Sequence, residues 1–504
     1  MIFKNASALD SKLEKNEFTE LVSVYIRLVE VFCEKFHKEI KHGDENNLIQ
    51  EMTAIGVISS KNELENLKNV LGKDVYIKFV DAVATAMVYK TEMNGLLDKL
   101  NNSKRRDIQK EAQKQKKYSL VDFFCGAGGL SLGFIQNGFC VKLANDIEDV
   151  CIETYRYNHP ELPSTRLIKG DIKDIVDNID EYIDQDIDVV VGGPPCQGFS
   201  EANRQRVIDD PRNKLYKYYV KAIEKICPKF VVMENVKGML KVANQVVEDY
   251  ENLIGRKNGK TYKYKVAYKI LNSENFSVAQ ARERLIYIAI RNDVMEKKRI
   301  TPNDIFDEIE KNCSNHKTFM LQDALKDIKP LEAPRIKNQN EIDSDTTGKK
   351  IDVNNYDDND NEYLKLINEG RRIPFVFNHK ARYVNDVNYE IYKRLNPGDD
   401  ATDEKIKDIM PYPYRNHCFK DKYYKLIPDR PCRTITAHLR MDCHSHIHPF
   451  QIRALTPREA ARVQSFPDDY LFLGAYLKTY MQVGNAVPPM MARGIAAVIK
   501  KYLD

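Results

Sequence analysis

"VDFFCGAGGLSLGF", residues 121–134, reads as a strand, a glycine-rich turn and the start of a helix. Gly126 and Gly128 hold two positions of a dinucleotide-binding fingerprint, but Ser131 stands where its third glycine would be. Alone, such a turn reads equally well as an ordinary tight turn. No lysine follows the glycines in phosphate-binding spacing, which argues against a Walker nucleotide site.

Outward from this turn, apolar strands alternate with helices: "YSLVDFF", "CVKLAND", "STRLIKGD", "IDVVVGG", "KFVVMEN" and "ERLIYIAI". That alternation predicts an α/β fold, a doubly wound and mostly parallel sheet covered by helices on both faces. In such sheets ligands bind at the carboxyl ends of the strands. The second strand ends at Asp146 and Ile147, where a carboxylate meets ribose hydroxyls, and the third ends at Asp171 and Ile172. Each aspartate is also readable as a helix N-cap. A ligand with ribose and adenine but no phosphate fits these residues, and S-adenosylmethionine is such a ligand. The glycines would let the backbone approach its methionine end, Asp146 would take the ribose, and Asp171 with Ile172 would frame the adenine.

The fourth strand runs into "GGPPCQGFS", residues 192–200. A proline pair fixes φ twice and withholds two backbone donors, so the chain leaves the sheet as a shaped loop. Cys196 is therefore presented at a strand end, although a lone cysteine more often packs as a small apolar residue.

The chain of 504 residues has room for several domains, and its 30% charged and 42% hydrophobic content is that of a soluble globular protein. No apolar run approaches the roughly 20 residues that span a bilayer, and the start lacks the apolar core of a signal peptide, so a cytoplasmic location is expected. None of the ten cysteines stands in a C-x-x-C spacing, which leaves no zinc ribbon or dithiol site signalled. "CHSHIHP", residues 443–449, places three histidines at alternate positions along an expected strand, where hydrogen-bonded or exposed imidazoles are favoured over a metal site. A net charge of +4 requires any nucleic acid to be held by local basic patches.

Phe18, Leu21, Tyr25, Leu28, Phe32, Phe36 and Ile40 recur at helical spacing, Ser60 and Glu63 have capping-box spacing before a helix ending near Gly72, and a further helix is expected from Val75 to about Asn101. Residues 103–117 are basic and read as a linker or solvated helix. Residues 337–362, rich in Asn and Asp, read as a solvated loop or disordered insertion. Thr456 and Pro457 read as N-cap and first turn of a late helix. The expected organisation is a helical N-terminal extension with basic linker over 1–117, a catalytic and cofactor-binding domain over 118–295, a smaller target-recognition domain over 296–450, and a segment over 451–504 that returns to the catalytic domain.

In order, "DFFCGAGGLSLGF", "GGPPCQGFS", "MENV", "QARERLIYIAI", "RTITA", "LTPREAARVQSFP" and "QVGNAVPP" resemble the signature blocks of cytosine-5 DNA methyltransferases. The resemblance covers residues 120–291 and 378–504, and implies an S-adenosylmethionine-dependent enzyme of the bacterial restriction-modification or orphan type. Cytosine C5 is a poor nucleophile, so the family first adds a thiolate to C6. By this resemblance Cys196 is the nucleophile, Glu234 serves cytosine N3, Arg284 holds cytosine O2, and Arg282 joins the catalytic set. Phe124, Gly126, Ala127, Gly128, Gly129, Asp146, Ile147, Asp171, Ile172, Pro195, Asn485 and Val487 are the implied cofactor residues.

The target nucleotide must flip out of double-stranded DNA to meet both Cys196 and Glu234. "PYPYRNHCFKDKYYK", residues 411–425, has the chemistry of a DNA-reading loop. The implied protein acts on DNA as a monomer, without a membrane, beside a separately acting cognate restriction endonuclease. Relatives acting on tRNA lack the long variable region before "RTIT"; a silent DNA-binding regulator would not need the full catalytic set; a nicotinamide dehydrogenase gives no reason for "PPCQ" followed by "MENV".

Overall fold

The computed structural model describes residues 2–115, 118–195, 214–337, 342–355, 360–411 and 422–504. Cys196 and most of the 411–425 stretch lie outside them.

The central sheet uses β1 (Tyr118–Phe123), β2 (Phe139–Asp146), β3 (Leu167–Lys169), β4 (Val189–Gly192) and β5 (Phe230–Asn235). A short hairpin, β6 (Gly255–Lys257) and β7 (Lys260–Tyr262), precedes β8 (Tyr264–Asn272) and β9 (Glu283–Arg291). The order is β3-β2-β1-β4-β5-β9-β8, with the first five strands mutually parallel and β9 antiparallel to both neighbours. The mostly parallel α/β expectation holds. The strand that pattern reading missed is β8, a half-exposed edge strand.

Successive residues on a strand face opposite sides, and the two apolar layers follow that alternation. Leu120, Val189, Val191, Phe230, Val232, Ile286 and Ile288 pack with the C-terminal helix Pro489–Leu503. Val121, Val190, Val231, Met233, Leu285 and Tyr287 pack with the helix Lys214–Ile226. The helix Pro302–Cys313 buries Ile305, Phe306 and Ile309 in the first of these layers, so the sheet's packing extends past residue 296.

Within the stretch expected as a solvated loop stands β10 (Gly348–Val353), antiparallel to β11 (Phe375–Lys380), with Ile351 buried. Composition hid this strand because its apolar content is one deeply buried isoleucine and a partly buried valine beside two lysines and an aspartate. The three histidines of "CHSHIHP" also depart from the expected strand: His444–His446 is a 3-10 turn. All three imidazoles are hydrogen-bonded, His444 to the Tyr392 hydroxyl at 2.7 Å, His446 to Ser445 Oγ at 2.9 Å, and His448 Nδ1 to the backbone N–H of Phe450 at 3.0 Å.

The N-terminal helix spans Lys12–Phe36 and closes at His37 in the left-handed region, so Ile40 falls beyond it. Ser60 caps nothing; Glu63 instead accepts from the Ser59 backbone and from Asn5 Nδ2. The basic stretch forms the helix Asn102–Lys114, solvated on one face and anchored on the other, where buried Arg105 donates to the Arg156 carbonyl at 2.7 Å. The helical region's core continues through Tyr157, Leu471 and Leu473 on one side and Ile351 and Phe377 on the other. No helix among the described residues is long and apolar enough to cross a membrane.

Candidate active site

A cavity of about 610 Å³ opens at the carboxyl ends of β1, β2, β4 and β5, the place the sheet topology assigns to ligands. It is lined by Phe124, Gly126, Ala127, Gly129, Asp146, Ile147, Asp171, Ile172, Pro195, Glu234, Arg282, Arg284, Asn485 and Val487 from the sequence-derived set.

At one end, β1 turns through Phe124 (φ 59°) and Gly126 (φ 53°) into the helix Gly129–Ile135. A Cβ at Gly126 would meet nothing within 4 Å, so the backbone faces open space. Gly128 departs from expectation and does not line the cavity. Its φ is +88°, and a Cβ there would lie 2.7 Å from the Tyr470 hydroxyl and 2.9 Å from His159 Nε2, so its need for glycine comes from packing behind the turn. The missing third fingerprint glycine is also explained. Ser131 Oγ donates to the Asp122 carboxylate and accepts from the Tyr155 hydroxyl, while Gly133 leaves room for the Pro489 carbonyl, 2.4 Å from where a Cβ would sit.

Asp146 accepts from the backbone N–H groups of Gly126 at 2.8 Å and Glu148 at 2.9 Å, tying the end of β2 to the glycine turn. Burial raises its pKa above the ordinary carboxylate value, against these hydrogen bonds. Asp171 is the N-cap of the helix Ile172–Asp177, accepting from Lys173 N–H at 2.9 Å, so it is both cap and cavity wall. Ile147 is an apolar side chain left 65% exposed at the cavity edge. Asp122 is fully enclosed, its Oδ1 has no hydrogen-bond partner among the described residues, and burial pushes its pKa up to about 7.

At the other end, β5 presents Glu234 and β9 presents Arg284, whose Nε lies 2.8 Å from Glu234 Oε1. A Cβ at Gly193 would stand 3.0 Å from Glu234 Oε2, so the loop leaving β4 passes directly over this carboxylate. Asn235 Nδ2 holds that loop through the Pro194 carbonyl at 2.9 Å. The next residues are Pro195 and then Cys196, outside the described set.

Arg282 lines the cavity and is also built into the scaffold around it. Its side chain is buried and donates to the carbonyls of Ile435 at 2.5 Å and Gly484 at 3.0 Å. Burial and the neighbouring Arg284 lower its pKa to about 9, so it remains a cation at neutral pH. Gln280 completes the tie: its Nε2 donates to Gln464 Oε1 at 2.7 Å, and its Oε1 accepts from Ile435 N–H at 2.7 Å. Gln464 Nε2 donates in turn to the Val483 carbonyl at 2.8 Å. These bonds lace "QARER", "RTITA", "RVQSF" and "QVGNAV" into one wall. Sequence reasoning missed Glu148, Asn235, Thr436, His438 and Gln482 as further lining or loop-holding groups. Glu148, two residues past Asp146, was within reach of the same strand-end argument.

The sequence profile of C-5 cytosine-specific DNA methylases matches residues 118–501. Type II methyltransferase M.Sau96I of Staphylococcus aureus is 31% identical over 393 residues, 78% of each chain. Type II methyltransferase M.DdeI of Desulfomicrobium norvegicum is 30% identical over 422 residues, 77% of this chain and 89% of that one. Among solved structures, a prophage-encoded E. coli protein assigned as a DNA modification methyltransferase shares the fold at TM-score 0.57 and 24% identity, covering 77% of this chain and 99% of the other. The chain therefore belongs to the C-5 cytosine-specific DNA methylases and is a DNA cytosine-5 methyltransferase of the type II restriction-modification kind.

Proposed function

We propose that the protein methylates C5 of a cytosine flipped out of a specific double-stranded DNA sequence, through a covalent bond between Cys196 and C6. One observation carries this reading: Glu234 and Arg284, 2.8 Å apart, lie beneath the proline loop at one end of a cavity whose other end is the glycine turn with Asp146.

S-adenosylmethionine, when bound, supplies an electrophilic methyl group. The open backbone at Gly126, the exposed apolar face of Ile147 and the free Asp122 Oδ1 suit a ligand with a charged amino acid end, a sugar and an aromatic base. Phe124, Ala127, Gly129, Asp171, Ile172, Pro195, Asn485 and Val487 complete its walls.

Arg284 holds cytosine O2 and Glu234 faces N3, where its carboxyl group gives a proton as the Cys196 sulfur bonds to C6 and the electron pair moves onto N3. That addition makes C5 enamine-like and able to attack the methyl carbon. A base then removes the C5 hydrogen, the C6–S bond breaks to regenerate the thiolate, and the N3 proton returns to Glu234. Arg282 keeps the β9 end of this site in register with the two later segments it bonds. Residues 296–450 read the DNA sequence, with phosphate contacts setting position and base contacts setting specificity. The enzyme would act as a cytoplasmic monomer, with a restriction endonuclease of the same site as a separate companion.

Trapping tests the covalent step. Fluorine at C5 cannot leave as a cation, so DNA with 5-fluorocytosine at the target should form an adduct that survives denaturing electrophoresis, only with S-adenosylmethionine present. Cys196→Ala should abolish it. A peptide map placing the adduct on Cys125, Cys151 or another cysteine would overturn the assignment.

A further inference from the structure

The N-terminal helical region is joined to both halves of the enzyme by one helix face. On the helix Lys12–Phe36, Glu20, Arg27 and Lys35 recur at about two-turn spacing and project from one side. Arg27 Nε donates to the Ile351 carbonyl at 3.0 Å, and Lys35 Nζ donates to the Asn354 carbonyl at 2.7 Å. Both partners lie on or just after β10. Glu20 reaches two elements at once: its Oε1 accepts from Lys350 Nζ of β10 and from the backbone N–H of Gly474 at 2.9 Å.

Gly474 is a fixed point of the catalytic body. Its φ is +91°, and a Cβ there would lie 2.3 Å from Val150 Cγ2, so the bend admits only glycine. The helix Tyr476–Asn485 follows directly and carries Met481, Gln482, Gly484 and Asn485 of the cavity wall. One carboxylate oxygen thus ties β10 to the segment that forms the cavity, beside the direct bonds of β11 through Asn378 to Phe472 and from the Tyr476 hydroxyl to the Lys380 carbonyl.

We propose that Glu20 is a positioning residue for DNA, a brace that sets the attitude of the recognition region to the catalytic body without touching DNA or cofactor. The inference rests on the recognition role proposed above for residues 296–450. The Glu20 and Lys350 side chains are 26% and 29% exposed, so their pair contributes little to folding. Its effect falls on geometry, since a reader of base edges must hold its contacts to about half an ångström.

Hydrogen exchange on the full-length protein, with DNA kinetics, tests the brace. In Glu20→Ala, and in Lys350→Met as a second variant that leaves the Gly474 bond intact, exchange over 348–353 and 375–380 should quicken roughly tenfold. Exchange in β1, β4 and β5 should not change. The KM for DNA should rise about fivefold while the Kd for S-adenosylmethionine stays within about twofold, a split that general destabilisation would not produce. Unchanged hairpin exchange, or exchange quickened throughout the chain, overturns the brace. A loosened hairpin with unchanged KM for DNA overturns instead the recognition role on which it rests.

Discussion

At the glycine-turn end of the cavity, β1, the turn and the helix Gly129–Ile135 are consecutive, and the nearest partner, Asp146, ends the next strand. At the Glu234 end, the wall is assembled from residues 234, 280–284, 434–438, 464 and 482–484, laced by Gln280, Arg282 and Gln464. One end is local, and its side chains act on the ligand. The other is collective, and several side chains act on one another. Substitution should therefore change binding at the first end, and either chemistry or folding at the second.

The largest effect belongs to the second end. Glu234→Gln keeps the size of the side chain and can still accept from Arg284, but it loses the charge of the pair. Methyl transfer should slow by roughly a thousandfold, about 4 kcal/mol of barrier, within the range a positioned acid or base supplies. Cofactor affinity measured by calorimetry should be near wild type. A parallel collapse of cofactor binding would show that the two ends are not separable.

Arg282→Met sharpens the contrast because its cost should appear as stability. The substitution leaves the Ile435 and Gly484 carbonyls without their buried donor, and a lost buried charged hydrogen-bond partner costs roughly 3 kcal/mol. Denaturant titration should show that loss. An unchanged midpoint with lost activity would return Arg282 to direct contact with the base.

What the sequence made legible follows the same division. The strand-turn-helix at residues 118–135 could be read from periodicity and glycines alone, because strand, turn and helix are consecutive in the chain. "QVGNAVPP" could not; without the family resemblance it reads as a loop, since its partners Arg282 and Gln464 are supplied by folding. Gly128 looked like a ligand-facing glycine because its demand for positive φ is local, whereas the side chains that crowd it, Tyr155, His159 and Tyr470, come from elsewhere. β10 was hidden for the opposite reason: Lys350 and Asp352 find charged partners across the interface, Glu20 and Arg27.

Acid should loosen the framework behind the collective wall. His379 donates through Nε2 to the Lys329 carbonyl at 2.7 Å and meets Thr456 Oγ1 at 3.0 Å; His448 Nδ1 accepts from two backbone N–H groups. Burial, which outweighs the attraction of Glu459, lowers His379 to about 4 and His448 to about 3. Above pH ~6.5 both are neutral folded or unfolded. As pH falls from there toward about 4, the unfolded chain takes up protons that the folded one refuses, so stability falls. Each histidine contributes about 1.4 kcal/mol per pH unit. His379→Gln should flatten the denaturation slope between pH 6.5 and 4.5 by about that amount; an unaltered slope would mean that His379 titrates normally.

Asp146→Asn should give the smallest effect and tests the local end directly. Each Asp146 oxygen already accepts one backbone N–H, from Gly126 and from Glu148, and keeps a second lone pair for a ligand hydroxyl. An amide keeps one oxygen and turns an N–H group toward the other donor, so one of these backbone bonds is lost along with the charge. A hydrogen bond exchanged this way is worth about 1 kcal/mol, which corresponds to roughly a fivefold weaker Kd for S-adenosylmethionine. The glycine turn is held on its other side by the Tyr470 hydroxyl on the Ala127 carbonyl, so the fold should persist. The KM for DNA should not change, because the hydrogen bonds of Asp146 run to Gly126 and Glu148 and not to Glu234 or Arg284. A variant that weakened DNA and cofactor together would make the cavity one cooperative unit and remove the distinction between its ends. A variant with unaltered cofactor affinity would leave Asp146 as a tether of the turn and hand the ribose to Glu148, the neighbouring carboxylate on the same rim.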